Sequence, residues 1–369
     1  MKTMDSEGKI GVFEGICLTA VVLNNKIFFT SVGYIVYQTG TAAWFTTLIS
    51  GGFTLLFFMF YSLLLKRFPG KDMVAIFEGV LGKIVGKAIL LFMCAYVLFN
   101  SGTTLREFAE MIKVYNLPRT PISIIMVAFL TVSVILSYYG LPSLSRVCAL
   151  CAIPILTGML LILLMASPSY NIKLLNPIGG YGLSTTLKYG FLRSSAYFEF
   201  VMLSFAVNAV GGYKKYKKIG LISIIIASII FSTVLICYLM TFGFAAGSEN
   251  ISGFFELSRS IYFNRFIQRV ESVFLFTWVI SSVISSTVSF YFALLVYCKI
   301  FTVKDHKPLL IPLAILMFIV AILPASLQAL TQTSLAFLRE YSMFVIYLPV
   351  IIVLLVSILF KKKGCGINS

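Results

Sequence analysis

Ten apolar stretches run almost end to end along this chain, separated by short polar or basic connections. They place spans near 10–36, 42–65, 84–110, 121–139, 141–166, 186–210, 219–244, 267–298, 308–326 and 341–360. Each is long enough for the roughly 20 residues a helix needs to cross a hydrocarbon core about 30 Å thick. Lipid offers no water to an open backbone group, so stretches of this length predict helices. Two shorter amphipathic segments lie between them. Residues 72–82 carry Met73, Ile76, Phe77, Val80 and Leu81 on one side, and 253–267 mix Phe254, Phe255, Leu257 and Ile261 with Glu256 and Arg259. Such segments lie flat on a membrane or plug a vestibule.

Two spans are broken at mid-depth by polar residues. The first holds Asn24-Asn25-Lys26 and the sixth holds Glu199. A charge near the bilayer centre costs roughly 2.5–3.5 kcal/mol on insertion scales and marks a pathway or a site. Matching interruptions in two halves point to an inverted repeat. Five spans is an odd number, so the second half enters the membrane from the opposite side. The fold expected is therefore an all-α polytopic membrane protein of ten transmembrane helices, with helices 1 and 6 discontinuous. Residues 1–369 form one membrane domain, with five-helix repeats at 10–166 and 186–360.

The residues at the breaks suggest a binding site. Asparagine hydrogen-bonds its own backbone and tolerates left-handed angles, so Asn24-Asn25 is a place for a helix to unwind. The half-helix that follows presents free N–H groups and a positive dipole end, which suit a carboxylate. Lys26 adds a full charge there, serving either a substrate or ion, or only the packing of a neighbouring helix. In span six, Ser194, Ser195, Tyr197, Phe198 and Glu199 set small residues beside rings, the mixture that lines pockets. Glu199 needs a partner at that depth. Lys26 is the candidate, and the alternative is a protonated Glu199 bonded to a serine. Arg146, in the first turns of span five, can snorkel to the surface. Arg269 and Glu271 open span eight as coupling or structural charges. Beyond them, Ser281, Ser282, Ser285, Ser286, Thr287 and Ser289 form a hydroxyl-rich stretch, suited to tight helix contacts or to a cation.

Composition removes the soluble alternatives. Hydrophobic residues make up 59%, charged residues 11%, and the mean hydropathy is +0.99, so no polar shell could cover a globule of this size. The net charge of +16 invites a nucleic-acid reading, but 17 of the 29 basic residues fall in alternate connections on one side. That bias is the orientation signal of a chain with both termini in the cytoplasm, and it offers contact with anionic lipid rather than nucleic acid. Nine others, Arg106 and Arg339 among them, are assigned to the opposite face. Cys148 and Cys151 have C-x-x-C spacing on apolar helical flanks with no histidine nearby, so they read as packing residues. The only histidine is His306, and no catalytic, phosphate-binding or dinucleotide motif stands in a usable context, so no enzyme, metal or cofactor is expected. The first span is too long for a signal-peptide core and is expected to stay as a helix.

Several segments match a family in order. They are Lys66-Arg67-Phe68-Pro69-Gly70-Lys71 leading to Gly82-Lys83-Ile84-Val85-Gly86-Lys87, Leu117-Pro118-Arg119-Thr120-Pro121, and Arg146 with Pro154. Phe198-Glu199 and Arg269-Val270-Glu271 leading to Phe276-Thr277-Trp278 follow. In these the chain resembles the B-subunit family of bacterial spore germinant receptors, a branch of the amino acid–polyamine–organocation superfamily. The resemblance implies a LeuT-like 5+5 fold in the inner membrane of a spore. It also implies sensing of a small nutrient, usually an amino acid, in a complex with A and C subunits. A secondary amino acid transporter and a non-transporting scaffold are the rival readings. Relatives that bind amino acids usually carry glycines at the span-one break and often one two residues before the glutamate. Here those places hold Asn24-Asn25-Lys26 and Tyr197, which implies a narrowed pocket.

Overall fold

The computed structural model describes residues 9–262 and 270–363, and among them only helices and their connections occur, with no strand. Six helical rods are long and apolar enough to cross a membrane: 31–67, 83–115, 140–165, 213–249, 271–300 and 327–359. Two shorter apolar helices, Ile122–Tyr138 and Lys307–Ile322, and two broken spans complete the path of the chain.

Span one is α1 (Val12–Asn24), a 3₁₀ turn over Asn25–Phe28, and α2 (Ser31–Thr39). Phe29 is extended at the junction, so the helix is interrupted where the asparagine pair stands. Next come α3 (Ala43–Arg67), the short α4 (Met73–Leu81), α5 (Lys83–Tyr115), α6 (Ile122–Tyr138) and α7 (Gly140–Met165). Span six begins as α8 (Leu183–Leu192) and continues as a 14-residue 3₁₀ stretch, Arg193–Ala206. Runs of 3₁₀ beyond three or four residues are uncommon and often mark a hinge. Side chains from other spans support this one. Tyr347 and Thr54 hydroxyls donate to the Ser194 carbonyl at 2.9 and 3.4 Å, and Lys26 donates to that of Ala196.

The remaining helices are α9 (Tyr213–Glu249), α10 (Gly253–Arg259), α11 (Glu271–Ile300) and α12 (Leu310–Ile322). Span ten is one rod in three parts, α13 (Leu327–Leu330), α14 (Ala336–Ser342) and α15 (Leu348–Leu359), joined by π turns at Thr331–Leu335 and Met343–Tyr347. This rod starts well before residue 341. Gln328, Thr331, Gln332 and Arg339 break the hydropathy signal; of these Arg339 lines a polar cavity, with Ser342 one turn on, while Gln328 and Gln332 are exposed.

Small residues let the rods approach, as they must where lipid removes the usual hydrophobic drive between helices. A side chain at Gly51 would strike Ser228, one at Gly220 would strike Phe58, and one at Gly158 would strike Thr277. The basic end is tied by polar contacts. Asp72 caps α4 through the Ala75 N–H at 3.0 Å and takes Lys299 at 2.5 Å, while Arg67 donates to the Ser357 carbonyl at 2.8 Å. Sequence reading laid 72–82 on the membrane surface. The apolar side it picked out is the buried one: Met73, Ile76 and Phe77 are fully buried, Ala75 and Gly79 are exposed, and α4 packs on α5, α15 and the span-six stretch.

Candidate functional site

Both broken spans open onto one cavity, with about 590 Å³ of empty space including the part open to solvent. The span-one break contributes Asn25, Lys26, Phe29 and Ser31, and span six contributes Arg193, Ser195, Ala196, Phe198 and Glu199. Three further spans close it: α5 with Asn100, Thr104 and Glu107, α11 with Ser285, and span ten with Leu335, Leu338, Arg339 and Ser342.

Lys26 reaches across from span one to span six. Its Nζ lies 2.7 and 2.9 Å from the two Glu199 oxygens and also donates to the Ala196 carbonyl. An ammonium has three donors, and these three acceptors use them all. The Phe198 ring centre is 5.2 Å from the same nitrogen. The pair is unequally covered, with the Lys26 side chain 26% exposed and that of Glu199 3%, so the lysine faces the open space. Asn25 fixes the turn from the other side, its Oδ1 accepting Ser281 and Ser282 hydroxyls at 3.0 and 3.4 Å. Two members of the hydroxyl-rich stretch of span eight are thus engaged by a side chain of span one.

A second node lies at the start of α2. The Thr30 hydroxyl donates to Glu107 at 2.6 Å and accepts from Arg339 at 2.7 Å, while its backbone N–H donates to the same Glu107 oxygen at 3.2 Å. Arg193 donates to the Ser31 hydroxyl at 2.5 Å. Both guanidiniums flank Tyr34, at 4.3 Å for Arg339 and 5.6 Å for Arg193 from the ring centre. The Ser195 hydroxyl donates to the Arg339 backbone carbonyl at 2.8 Å, tying span six to span ten. Spans one, three, six and ten therefore meet through one continuous set of hydrogen bonds.

Of the residues singled out from sequence, Asn25, Lys26, Ser195, Phe198 and Glu199 line this cavity, and Asn24, Ser194 and Tyr197 do not. Asn24 turns its amide back to the Ala20 carbonyl at 2.9 Å and faces a separate apolar cavity with Cys17 and Met159. The Ser194 hydroxyl is spent on the Phe191 carbonyl at 2.7 Å. Tyr197 lines a different small space with Thr47, Ser50 and Phe231, so its bulk does not narrow the main cavity. A 3₁₀ stretch repeats about every three residues, and that period sets Tyr197 on another side from Ser195 and Phe198. Arg146 is far outside, its side chain 72% exposed and 3.9 Å from Glu14. Glu271 is half-buried at the first turn of α11, and Arg269 lies outside the described residues.

Sequence reading missed Glu107, Arg193 and Arg339 as site residues. Glu107 lies between Arg106 and Glu110 at the end of an apolar span, Arg339 was assigned to an outer connection, and only the fold brings Glu107 and Arg339 together. Arg106 was likewise assigned outward. It is buried within α5, 2.8 Å from Glu110 and separate from the cavity. His306 lies in the connection between α11 and α12 and is buried there, with its ring 6.0 Å from that of Tyr291. Cys148 and Cys151 are free thiols, and among the described residues no group of histidine, cysteine or carboxylate side chains could hold a metal.

A family model described as "Spore germination protein" matches residues 15–329. Spore germination protein A2 of Bacillus subtilis (strain 168) is 26% identical over 299 residues, covering 77% of this chain and 79% of that protein. Spore germination protein KB of the same organism is 20% identical over 289 residues, covering 77% and 78%. Among solved structures, the chain is similar to Mhp1, a nucleobase-cation-symport-1 family transporter in a closed conformation with bromovinylhydantoin bound. The TM-score is 0.64 at 14% identity, over 93% of this chain and 76% of that one. At that identity the likeness shows the fold, which is LeuT-like.

Proposed function

Because this chain belongs to the spore germination protein family, we propose that it is the permease-like subunit of a germinant receptor. In this reading it is a multi-pass protein of the spore inner membrane with both termini in the cytoplasm, it works beside A and C subunits, and it senses a nutrient rather than catalysing a reaction. The single observation that carries the reading is the cavity itself. Its walls come from both discontinuous spans, and its polar contacts join four spans that would otherwise move separately. A ligand seated there interacts differently with two arrangements of those spans, and that difference is what shifts a population.

The test is Ser195→Leu, which fills the cavity wall and removes the donor to the Arg339 carbonyl. Spores carrying it should lose the nutrient response while the subunit stays at normal abundance in the membrane. An unchanged dose response places the sensing site elsewhere. The fold favours a second reading, an active transporter, since its structural neighbour is one. Counterflow uptake in proteoliposomes separates the two, because a sensor that does not cycle gives none.

A further inference from the structure

The charges around the cavity do not balance. Among its described lining residues, three are cationic (Lys26, Arg193, Arg339) and two carry carboxylates (Glu107, Glu199). Lys26 and Glu199 form a contact pair that sums to zero wherever the shared proton sits. Arginine does not lose its proton in proteins, so Arg193 and Arg339 bring two fixed positive charges. Glu107 can offset at most one of them. Whatever the protonation state, the cavity wall keeps at least one positive charge in excess.

The surplus is localised at Arg193. Arg339 reaches Glu107 through the Thr30 hydroxyl, whereas Arg193 is 3% exposed, has no carboxylate within ion-pair distance among the described residues, and its buried Nε has no hydrogen-bond partner among them. Buried charges are normally paired, because removing one from water without compensation is expensive. The guanidinium stands at the N-terminus of α2, a nine-residue helix whose free N–H groups and dipole favour negative charge at the same place. Meanwhile the ammonium position in span six is already filled. Lys26 uses both Glu199 oxygens and the Ala196 carbonyl, the acceptors an amino group would need there. Phe29, Phe198, Leu335 and Leu338 supply apolar wall for an organic body.

We propose, building on the receptor reading above, that the cavity takes a small organic monoanion: a carboxylate with no ammonium group of its own. With Glu107 ionised, the state its two Thr30 donors favour, the surplus is one and such a ligand brings the count to zero. A zwitterionic amino acid carries no net charge and leaves the surplus buried. Lys26 in effect supplies the amino group that the ligand lacks.

Matched probes that differ only in the α-amino group test this on the full chain in lipid nanodiscs, by ligand-induced shifts in thermal unfolding at fixed ionic strength. Propionate is paired with L-alanine, 4-methylpentanoate with L-leucine, and 3-phenylpropionate with L-phenylalanine. At least one carboxylate should bind about ten-fold or more tighter than its amino acid, a difference of about 1.4 kcal/mol. Sodium chloride alone should give no comparable shift. Arg193→Gln sets the count to zero and should cancel the preference, whereas Lys26→Met with Glu199→Gln leaves the surplus and should retain it. Equal or tighter binding of the amino acids overturns the proposal, as does a chloride effect of the same size or the absence of any carboxylate binding. A preference that survives in a folded Arg193→Gln protein also overturns it. The comparison on the unmodified chain decides by itself where a variant does not fold. Deleting the gene tests the receptor reading separately: carboxylate binding with unaffected germination sinks that reading, and lost germination without carboxylate binding sinks only this one.

Discussion

Lys26 and Glu199 stand 2.7 Å apart from two spans 173 residues apart in sequence. Removing one partner of such a buried pair leaves the other charge uncompensated, typically at about 3–5 kcal/mol. Lys26→Met and Glu199→Gln should each lower abundance or abolish the nutrient response. The double variant should be impaired far less than the two losses combined, since no unpaired charge remains. Additive losses in membrane abundance would show that the residues act separately. Thr30 makes a subtler case, because its hydroxyl both accepts from Arg339 and donates to Glu107. Thr30→Val keeps the shape and the backbone bond to Glu107 but strands two charged partners. A loss of about 1–3 kcal/mol in thermal or denaturant stability is expected, with a shifted nutrient dose response. A variant with unchanged stability and dose response would mean that water replaces the hydroxyl without loss.

At the scale of elements, span one is held from outside the cavity by the connection between α9 and α10. Ser252 donates to the Phe28 carbonyl at 3.2 Å, and Phe28 packs edge-on against Phe254 with ring centres 5.7 Å apart. Gly33, in the second turn of α2, lies so close to this connection that a methyl group would collide with the Asn250 carbonyl oxygen. That oxygen is backbone and cannot rotate away. Gly33→Ala should therefore cost about 1–3 kcal/mol as an overpacked contact, measured by thermal unfolding. Gly52→Ala is the control, because its added methyl meets nothing within 4 Å and alanine suits a helix better than glycine. Equal melting of the two variants would show that α2 and α10 do not press together.

Over the whole molecule, the inverted arrangement makes a statement about sides. We propose repeats at 10–166 and 186–360, with the basic connections in the cytoplasm. On a background free of native cysteines, Lys215→Cys and Lys304→Cys should label only from the cytoplasmic side. Glu249→Cys, at the last residue of α9, should label only from outside. The reverse pattern for any of the three would remove the odd-span argument. The all-helical membrane class and the two broken spans were legible from hydropathy and from the polar interruptions, because lipid enforces helices wherever apolar runs are long enough, while the LeuT-like fold was implied only by the family resemblance. Span ten was misjudged by more than ten residues for the complementary reason. Its middle part lines the cavity, so it carries Arg339 and Ser342 where a lipid-facing helix would be apolar.

By itself the sequence determined the membrane class and the two broken spans, and it offered Lys26 as a candidate partner for Glu199. Each of these follows from a local rule about what lipid tolerates, and such rules act on composition along the chain. Only the tertiary structure decided which side chains share the cavity. Ser195 and Tyr197, two residues apart, lie on different sides of the helix and line different spaces, and which side meets the main cavity is set by how span six packs. Arg339 looked like a connection residue, and it meets Thr30 and Glu107 across three spans. The surplus of positive charge is likewise invisible in the chain total of +16, which is set by surface connections. It exists only because folding brings Arg193 and Arg339 to one wall and matches them with a single free carboxylate, Glu107.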